Sequence, residues 1–360
     1  MSLFSRRPRR QVGVDIGTSS IKVVELSREG SHPILQNYGI IEGLDFFGDV
    51  SAADHASTFK LSEEEIIAAL KELFKTTHIQ TREAVLSIPI FSSFLTVIEL
   101  PYMNLKDLER AVPFSARSYI PVPISEVVLD WLAIPSGSSR PSSNPTQPKN
   151  ISVLLVAVSK EVVSKYRRVV EGAGLNLRGL EPESFSLVRS LVGGDPEPAM
   201  LVDLGARSTT LTIAHQGFVK MSHTVQLSGI ELTKTIARGL SISLARAEEL
   251  KRTTGLAADG EERGIAGLIK PALDRLSDEY EKMVSSYVRK EGVKIEKLIL
   301  SGGAANLPGI NRYLSGRLSI ETITGDPFGR VSYPTELKPL IKKELSTPLA
   351  VAVGLAMRDF

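Results

Sequence analysis

The chain has 360 residues, which is too long for one small core and is typical of a protein with two domains. Hydrophobic residues make up 42% of it, charged residues make up 23%, and the formal net charge is +2. This composition is ordinary for a globular protein and provides no strong positive field that would favour nucleic acid as a partner. The chain has no cysteine, which excludes disulfide bonds, thiolate zinc sites and a cysteine nucleophile.

The first ten residues, MSLFSRRPRR, are basic, but the apolar segment of a signal peptide does not follow them. No later apolar run approaches the ~20 residues that span a bilayer. We therefore expect a cytoplasmic protein. The arginines of this segment fit a solvated tail or, alternatively, a weak attraction to anionic lipid, to which each basic residue can contribute ~1 kcal/mol.

The first predicted elements are a hairpin, a loop and a helix. Residues Gln11 to Leu26, QVGVDIGTSSIKVVEL, place apolar strands on both sides of a turn of small residues. Residues Leu44 to Lys60 lack periodicity and predict a loop. Ser62 and Glu65 then have the spacing of a capping box, and the residues after them predict a helix with one apolar face.

The middle of the chain begins with a second predicted loop, Pro135 to Asn150, which holds four prolines and five serines and cannot form a core. A predicted strand, Ile151 to Val158, follows it directly. Ser159 has the position of a helix N-cap, and the helix after it is expected to stop near Gly172.

A second strand–turn–strand unit is predicted at Met200 to Gly217, MLVDLGARSTTLTIAHQG. Each of Asp203, Gly205 and Ser208 lies 188 residues after a residue of the same type in the first hairpin. This correspondence predicts two related halves, an internal repeat of supersecondary structure.

The last predicted elements are a long helix over about 264–290, a strand at Lys297 to Ser301, a helix from about Pro308 and an apolar C-terminal helix from Pro348 to Phe360. Because strands and helices mix throughout the sequence, the predicted fold class is α/β.

The first hairpin turn has the residue types of a phosphate site. Small residues let backbone N–H groups approach phosphate oxygens, hydroxyl groups add donors, and an acidic residue at the strand end can hold a hydrated magnesium ion. A lysine in the second strand lies on the same face as the last serine of the turn. Alone, this pattern also fits an ordinary hairpin. The candidates are Asp15, Gly17, Thr18, Ser19, Ser20 and Lys22.

The second hairpin repeats the design, so two such turns facing each other would hold a triphosphate from both sides. Asp15 and Asp203 would then lie near the metal ion and are expected to bind it through water. The candidates in the second hairpin are Asp203, Gly205, Ala206, Arg207, Ser208 and Thr209.

A third element follows the strand at Lys297 to Ser301. Gly302 and Gly303 would let a ribose or a flat base lie against the backbone, and Asn306 follows them. A glycine pair after a strand is a weak signal alone, but the order hairpin, hairpin, strand–glycine–helix is a strong one.

These three elements, in this order, resemble the phosphate and adenosine motifs of the actin, heat-shock chaperone and sugar kinase superfamily. Within it, the chain is most similar to the PilM family, actin-like proteins of the type IV pilus inner-membrane platform that are related to the FtsA cell-division family. The resemblance runs from about Val12 to Phe360 and rests on VGVDIGTSSIKVVEL, IELPYM, YIPVPISEVVLDW, GLEPESFSLVRSL and LILSGGAANLPGI.

The resemblance implies an α/β, two-lobed actin-like ATPase fold with a duplicated ribonuclease H-like core and a small subdomain inserted in the first lobe. The expected divisions are the first-lobe core at 11–84, the inserted subdomain at 85–158, the rest of the first lobe at 159–198, the second lobe at 199–345 with a small subdomain at about 229–291, and a C-terminal helix at 346–360 that returns to the first lobe.

The resemblance also implies roles for further residues. Glu248 and Lys251 match a helix that contacts ribose and base, although the same spacing fits an ordinary ion pair. Glu181 and Glu183 lie where related proteins carry a water-activating glutamate and are weak catalytic candidates. Arg207 replaces the usual glycine of the second phosphate turn, so it either contacts phosphate or hinders the backbone approach.

The function implied by the resemblance is a cytoplasmic scaffold, peripheral at the inner membrane, that binds ATP and Mg²⁺ and hydrolyses ATP slowly or not at all. Its expected partner is the N-terminal cytoplasmic tail of a PilN-like membrane protein, bound in a groove beside strands such as Phe94 to Leu100. Other pilus platform proteins and self-association are further possibilities for partners, membrane association is indirect, and nucleic acid is not expected.

Other functions remain open alternatives. An FtsA-like filament former is expected to end in an amphipathic membrane helix, whereas this sequence ends in an apolar one. A sugar-kinase-like phosphotransferase needs a base for the substrate hydroxyl group, and no clear kinase-type aspartate is present. A secretion-platform relative with a degenerate site is expected to have poorer phosphate motifs.

Overall fold

The computed structural model describes residues 9–29, 32–42, 62–134, 150–257 and 263–359. The predicted loop at Leu44 to Lys60 lies outside the described residues. So does the predicted loop at Pro135 to Asn150, except for Asn150 itself, which begins a strand.

The strands of the described residues are, in chain order, β1 (Arg9–Ile16), β2 (Ser20–Glu29), β3 (His32–Glu42), β4 (Glu83–Ile88), β5 (Ser93–Pro101), β6 (Val127–Ile134), β7 (Asn150–Ser159), β8 (Asn176–Pro182), β9 (Ala199–Leu204), β10 (Thr209–His215), β11 (Phe218–Val225), β12 (Lys297–Ser301) and β13 (Glu321–Thr324). The α-helices are α1 (Glu63–Thr76), α2 (Leu105–Ala116), α3 (Lys160–Gly172), α4 (Glu183–Leu187), α5 (Gly229–Leu240), α6 (Leu244–Thr253), α7 (Arg263–Glu291), α8 (Ile310–Leu318), α9 (Lys338–Leu340) and α10 (Ala350–Ala356).

Two five-stranded sheets have the same topology. Their strand orders are β3-β2-β1-β4-β8 and β11-β10-β9-β12-β13. In each sheet the first three strands in that order pair antiparallel, and the pairings that follow them are parallel. The internal repeat predicted from the two hairpins is therefore confirmed as a duplicated sheet topology.

Local sequence signals explain several helix boundaries. Ser62 and Glu65 form the predicted capping box at the start of α1. Ser159 accepts a hydrogen bond from the backbone N–H of Glu161 and caps α3. The predicted long helix is α7. Each of these helices thus begins where a side chain satisfies the free backbone donors or where an apolar stripe begins.

A third, three-stranded sheet with the order β5-β7-β6 carries α2 on one face. This sheet is separate from the two large ones. Residues 85–88 belong to β4, which pairs with β1 and β8 in the first large sheet. The separate sheet therefore begins at Ser93. The division into domains, including the insertion at 85–158, stays a prediction.

Every residue of helix α10 is buried, and the helix shares a core with strands of both large sheets. It packs against β1, β2 and β4 and against α4. A Cβ atom on Gly13 of β1 would lie 2.0 Å from the carbonyl oxygen of Ala352, and one on Gly354 would lie 1.9 Å from that of Ser186. Glycine at these two positions is what lets the helix approach its neighbours so closely.

Candidate functional site

The predicted nucleotide-binding residues converge on one cavity. A space of about 880 Å³ lies between the β1–β2 hairpin and the β9–β10 hairpin. All predicted nucleotide-binding residues except Thr209 line it, namely Asp15, Gly17, Thr18, Ser19, Ser20, Lys22, Asp203, Gly205, Ala206, Arg207, Ser208, Glu248, Lys251, Gly302, Gly303 and Asn306.

The first hairpin holds a partly buried ion pair at the base of the cavity. Asp15 and Lys22 are directly opposite each other in the antiparallel register. Lys22 Nζ lies 3.0 Å from Asp15 Oδ2, and the hydroxyl group of Ser87 donates to Asp15 Oδ1 over 2.8 Å. The backbone N–H of Gly17 donates to the carbonyl oxygen of Ser20 over 3.0 Å and closes the turn. Asp15 is thereby fixed in place before any ligand arrives.

The second hairpin has the same turn and a different charge. The backbone N–H of Gly205 donates to the carbonyl oxygen of Ser208 over 3.0 Å, as in the first turn. Thr210, however, lies opposite Asp203, in the position that Lys22 has opposite Asp15. The second carboxylate therefore has no lysine across the ladder from it.

The start of α5 is tied to the second turn. The backbone N–H groups of Gly229 and Ile230 donate to the carbonyl oxygens of Gly205 and Ala206, each over 3.0 Å. These bonds hold the turn against the helix, and both Gly229 and Ile230 line the cavity.

Three carboxylates surround one lysine at the base of the cavity: Asp15 is buried, and Asp203 and Glu183 are half-buried. Burial raises the pKa of Asp203 to about 6, and the negative charge of Asp15 adds to that rise against the opposing effects of Lys22 and Ser301. Burial also raises the pKa of Glu183 well above its usual value, and repulsion from Asp15 and Asp203 raises it further. Burial alone would lower the pKa of Lys22, but attraction to the three carboxylates outweighs it and the pKa is raised. One cation does not balance this negative charge.

The chemistry of this donor set fits magnesium. A cation entering the cavity would relieve the repulsion among the carboxylates, and Mg²⁺ prefers oxygen ligands while keeping several waters. Within the described residues, no group of three or more acidic or histidine side chains lies close enough together to hold a metal ion. Two carboxylates facing one cavity fit contacts to a hydrated magnesium ion, which usually takes few protein ligands.

The two glutamates predicted as weak catalytic candidates lie in different surroundings. Glu183 begins α4 and lines the cavity. Glu181 is outside the cavity lining, where it forms an ion pair with Arg189 over 2.6 Å and lies 3.9 Å from Arg358. Glu183 is thus placed to meet a ligand, whereas Glu181 joins the end of the chain to the first lobe.

Glu248 and Lys251 lie on the cavity wall that α6 provides. Lys251 Nζ is 2.6 Å from Glu248 Oε2, donates to the carbonyl oxygen of Gly229 over 3.0 Å and donates to Thr233 Oγ1 over 2.9 Å. Burial lowers the pKa of Lys251 against the attraction of Glu248. The lysine therefore joins α6 to α5, and Glu248 is the more accessible member of the pair.

The glycine pair after β12 also has two different environments. Gly302 has a φ of +85°, and a Cβ atom there would lie 2.5 Å from the carbonyl oxygen of Leu204, so only glycine fits. A Cβ atom on Gly303 would have no heavy atom within 4 Å of it, and Gly303 lines the cavity. Asn306 Oδ1 accepts a hydrogen bond from Thr347 Oγ1 over 3.0 Å, which orients its side chain.

Thr209 is the one predicted nucleotide-binding residue that lies outside the cavity. It is buried, and its hydroxyl group donates to the carbonyl oxygen of Leu227 over 2.8 Å. Because neighbouring strand residues point to opposite faces, Thr210 lines the cavity instead.

Sequence reasoning missed other lining residues. The offset of 188 residues from Lys22 would have indicated Thr210, but no motif marks the residues that the tertiary fold brings in. These include Glu42 at the end of β3, Arg252 on α6, and Lys343, Glu344 and Leu345 in the π-helical turn Ile341–Leu345.

The peptide groove between strands such as Phe94 to Leu100 and the first lobe stays a prediction, and the structure shows where the side chains of β5 lie. Leu95 and Val97 on one face of β5 pack against the core shared by the two large sheets. On the other face, Ile98 and Leu100 pack with α2. Both faces of β5 thus contribute to a core, whereas the most exposed large apolar side chains of the three strands lie on β6.

Strand β6 is an edge strand with exposed apolar side chains. Val128 is 44% exposed and Leu132 is 46% exposed. Leu132 pairs with Leu154 of β7, which packs toward the first lobe, so Val128 and Leu132 are on the lobe-facing side of the sheet. Helix α3 of the first lobe contacts β6 next to this surface.

No helix in the described part of the chain is both long and apolar enough to cross a membrane.

Comparison with known proteins identifies the fold and the family. A family model for type IV pilus assembly protein PilM matches residues 13–360. A chain of a solved PilM–PilN type IV pilus biogenesis complex is 27% identical, with a TM-score of 0.78 and coverage of 97% of this chain and 98% of that one. MreB5 of Spiroplasma citri bound to AMPPNP is 13% identical, with a TM-score of 0.53 and coverage of 97% and 95%, which shows the fold alone.

Cell division protein FtsA of Enterococcus faecalis is 24% identical over 335 residues, which cover 83% of this chain and 74% of that protein. The actin-like fold expected from the sequence is confirmed. The family model spans almost the whole sequence and includes both hairpin turns and the glycine pair, and the chain therefore belongs to the family of the type IV pilus assembly protein PilM.

Proposed function

We propose that this chain is an ATP-binding scaffold of type IV pilus assembly that recruits the N-terminal cytoplasmic tail of a PilN-like membrane protein. ATP and magnesium occupy the cavity between the two hairpins, and the bound tail brings the chain to the inner membrane. The observation that carries the nucleotide site is the pair of matched turns, each closed by a 3.0 Å bond, facing one cavity. The solved complex of a similar chain with PilN supports the partner.

Each part of the cavity has a role in this proposal. Backbone N–H groups and hydroxyl groups of the turns at 17–20 and 205–208 bind the phosphates. Asp15 and Asp203 contact a hydrated magnesium ion, whose remaining ligands are phosphate oxygens and water. Gly303 leaves space for the ribose or base, and Glu248 is placed for the ribose hydroxyl groups.

Magnesium-dependent ATP binding tests the nucleotide site. Replacing Asp15 with alanine removes a carboxylate that contacts the waters of the hydrated ion, so Asp15→Ala is expected to weaken binding at least about tenfold, or about 1.4 kcal/mol. Calorimetric titration in magnesium and in EDTA measures the loss, which should be confined to the magnesium series. Asp278→Ala, an exposed aspartate on α7 outside the cavity, is the control. Equal affinities of wild type and Asp15→Ala in magnesium would contradict the site.

The tail is proposed to bind along β6. Its backbone would pair with the free edge of β6, and its apolar side chains would contact Val128 and Leu132 on the lobe-facing side. Because an extended tail must be ordered on binding, its affinity is expected to be modest.

Fluorescence anisotropy with a labelled PilN-like tail tests this placement. Val128→Asp puts a charge into the proposed contact and is expected to weaken binding about tenfold or more. Val122→Asp is the matched control, because Val122 is 45% exposed, as Val128 is 44% exposed, but lies outside β6. If the tail binds saturably but both variants weaken binding equally, the placement on β6 is wrong. If the wild type does not bind the tail at all, recruitment of this tail is contradicted.

A further inference from the structure

Helix α2 carries an exposed stripe that neither lobe covers. The residues of the stripe are spaced by three, four and three positions, which places them on one side of the helix. They are Asp107, Arg110, Phe114 and Arg117, all exposed, and Phe114 is the most exposed apolar side chain described, at 73%. The opposite side of α2, with Leu108, Val112 and Ala116, is buried against the sheet.

The position of α2 makes this stripe accessible. The sheet β5-β7-β6 turns Leu95 and Val97 toward the core shared by the two large sheets. Its other face, with Ile98 and Val153, packs against α2. Helix α2 therefore lies on the outer side of the sheet, opposite the β6 surface proposed for the tail, and both surfaces can be occupied together.

The charges of the stripe are separated along the helix. Asp107 is in the first turn, where its Oδ2 accepts a hydrogen bond from Asn104 Nδ2 over 2.7 Å. Arg110 and Arg117 follow it and form no ion pair among the described residues. The guanidinium group of Arg117 lies 5.9 Å from the centre of the Phe114 ring. A surface complementary to this stripe needs a carboxylate at one end and an aromatic ring near its centre.

We propose that the α2 stripe binds the α2 stripe of a second copy of this chain, with the two helices antiparallel about a two-fold axis. A two-fold interface must be self-complementary, because every contact between two different residues occurs twice, once in each direction. Pairing about position 112 sets Asp107 of each copy against Arg117 of the other and sets Arg110 of each copy over the Phe114 ring of the other. The stripe thus supplies its own complement, with two ion pairs and two cation–aromatic contacts.

The size of the contact predicts its strength. A helix of 12 residues is about 18 Å long, so two such helices bury less surface than the interfaces of permanent dimers. The association is therefore weak in solution and depends on concentration. Copies held near one another on a membrane by bound tails would have a high effective concentration, which would populate the contact.

Charge-reversal variants distinguish dimerisation through the α2 stripe from binding of another partner to it. Asp107→Arg sets arginine against arginine twice, and Arg117→Asp sets aspartate against aspartate twice. Each variant alone is expected to self-associate at least about tenfold more weakly than wild type. An equimolar mixture of the two restores both opposite-charge pairs in a mixed dimer and should associate within about threefold of wild type, as should the double variant.

Sedimentation velocity over a range of concentrations is the measurement. Glu109→Arg is the control, because it makes the same charge change on α2 away from the stripe, and circular dichroism checks that each variant is folded. Phe114→Ala, which removes the central ring without changing charge, should also weaken association. Three outcomes would overturn the proposal: no concentration-dependent dimer of wild type, no rescue in the mixture, or binding of wild type to anionic vesicles that Asp107→Arg strengthens while the protein stays monomeric.

Discussion

The two phosphate hairpins share a backbone and differ in charge. Each has an aspartate near the end of its first strand and a turn closed by a glycine N–H over 3.0 Å. Lys22 faces Asp15 in the first hairpin, whereas Thr210 faces Asp203 in the second. The two halves of the fold thus share the aspartate, but only the first half has the lysine. Lys22 holds Asp15 in place. Asp203 has no lysine opposite it, so its negative charge would be balanced by the metal ion that binds with the nucleotide.

The largest expected effect comes from removing the lysine. Lys22→Met leaves the buried Asp15 and the half-buried Asp203 and Glu183 without their cation, so we expect it to lower the free energy of unfolding by about 3–5 kcal/mol. Thr210→Val, at the matched position, removes only a hydroxyl group and should cost about 1 kcal/mol. Urea unfolding of the nucleotide-free protein in EDTA measures both. Similar losses in the two variants would mean that the hairpins are electrostatically equivalent.

The next effect is a pH dependence specific to the second hairpin. The pKa of Asp203 is about 6 in the folded protein and near 3.8 when unperturbed. Between pH 3.8 and about pH 6 the folded state binds a proton on Asp203 more tightly than the unfolded state does. The stability contributed by that proton therefore falls as pH rises and is lost above about pH 6. The full change is on the order of 3 kcal/mol, at about 1.4 kcal/mol per pH unit.

Asp203→Asn should remove this contribution. Urea unfolding in EDTA at about pH 4.5 and about pH 7 compares the variant with wild type. The variant's stability relative to wild type should be higher at the higher pH. A difference between the two proteins that stays constant with pH would show that Asp203 ionises normally in the cavity.

The smallest expected difference is between the turn glycines. A Cβ atom on Gly205 would lie 2.7 Å from the carbonyl oxygen of Ser208, whereas one on Gly17 would lie 3.1 Å from that of Ser20. Gly205→Ala is therefore expected to cost about 1–3 kcal/mol of stability and Gly17→Ala about 1 kcal/mol less. Thermal melts of both variants measure the order, and a more severe loss in Gly17→Ala would reverse the comparison.

The sequence predicts the parts of the site that local patterns encode. The offset of 188 residues aligns Asp203, Gly205 and Ser208 with the first hairpin, and the structure keeps that alignment in the ladder register. Applied further, the same offset aligns Thr209 with Ile21, a core residue, and so explains why Thr209 is turned away from the cavity. The alternation of side chains along β10 would have excluded Thr209 from the cavity.

Tertiary placement was beyond local patterns. Glu181 and Glu183 are two residues apart and have similar neighbours in sequence, yet only the fold brings Arg189 to the first and the cavity to the second. The apolar run that contains β4 fits either the first large sheet or the insertion, because periodicity does not say which strand a run will pair with. The apolar run alone therefore could not give the boundary of the insertion.

The position of α10 has a consequence for how the protein is made. Gln11, in the first described strand to be synthesised, donates through Nε2 to the carbonyl oxygens of Leu355 and Arg358. At about 5–20 residues per second, the ribosome needs roughly 20–70 s to go from β1 to α10. Throughout that interval the first sheet lacks α10. The apolar face on which α10 packs therefore stays uncovered until Ala350–Ala356 have been synthesised.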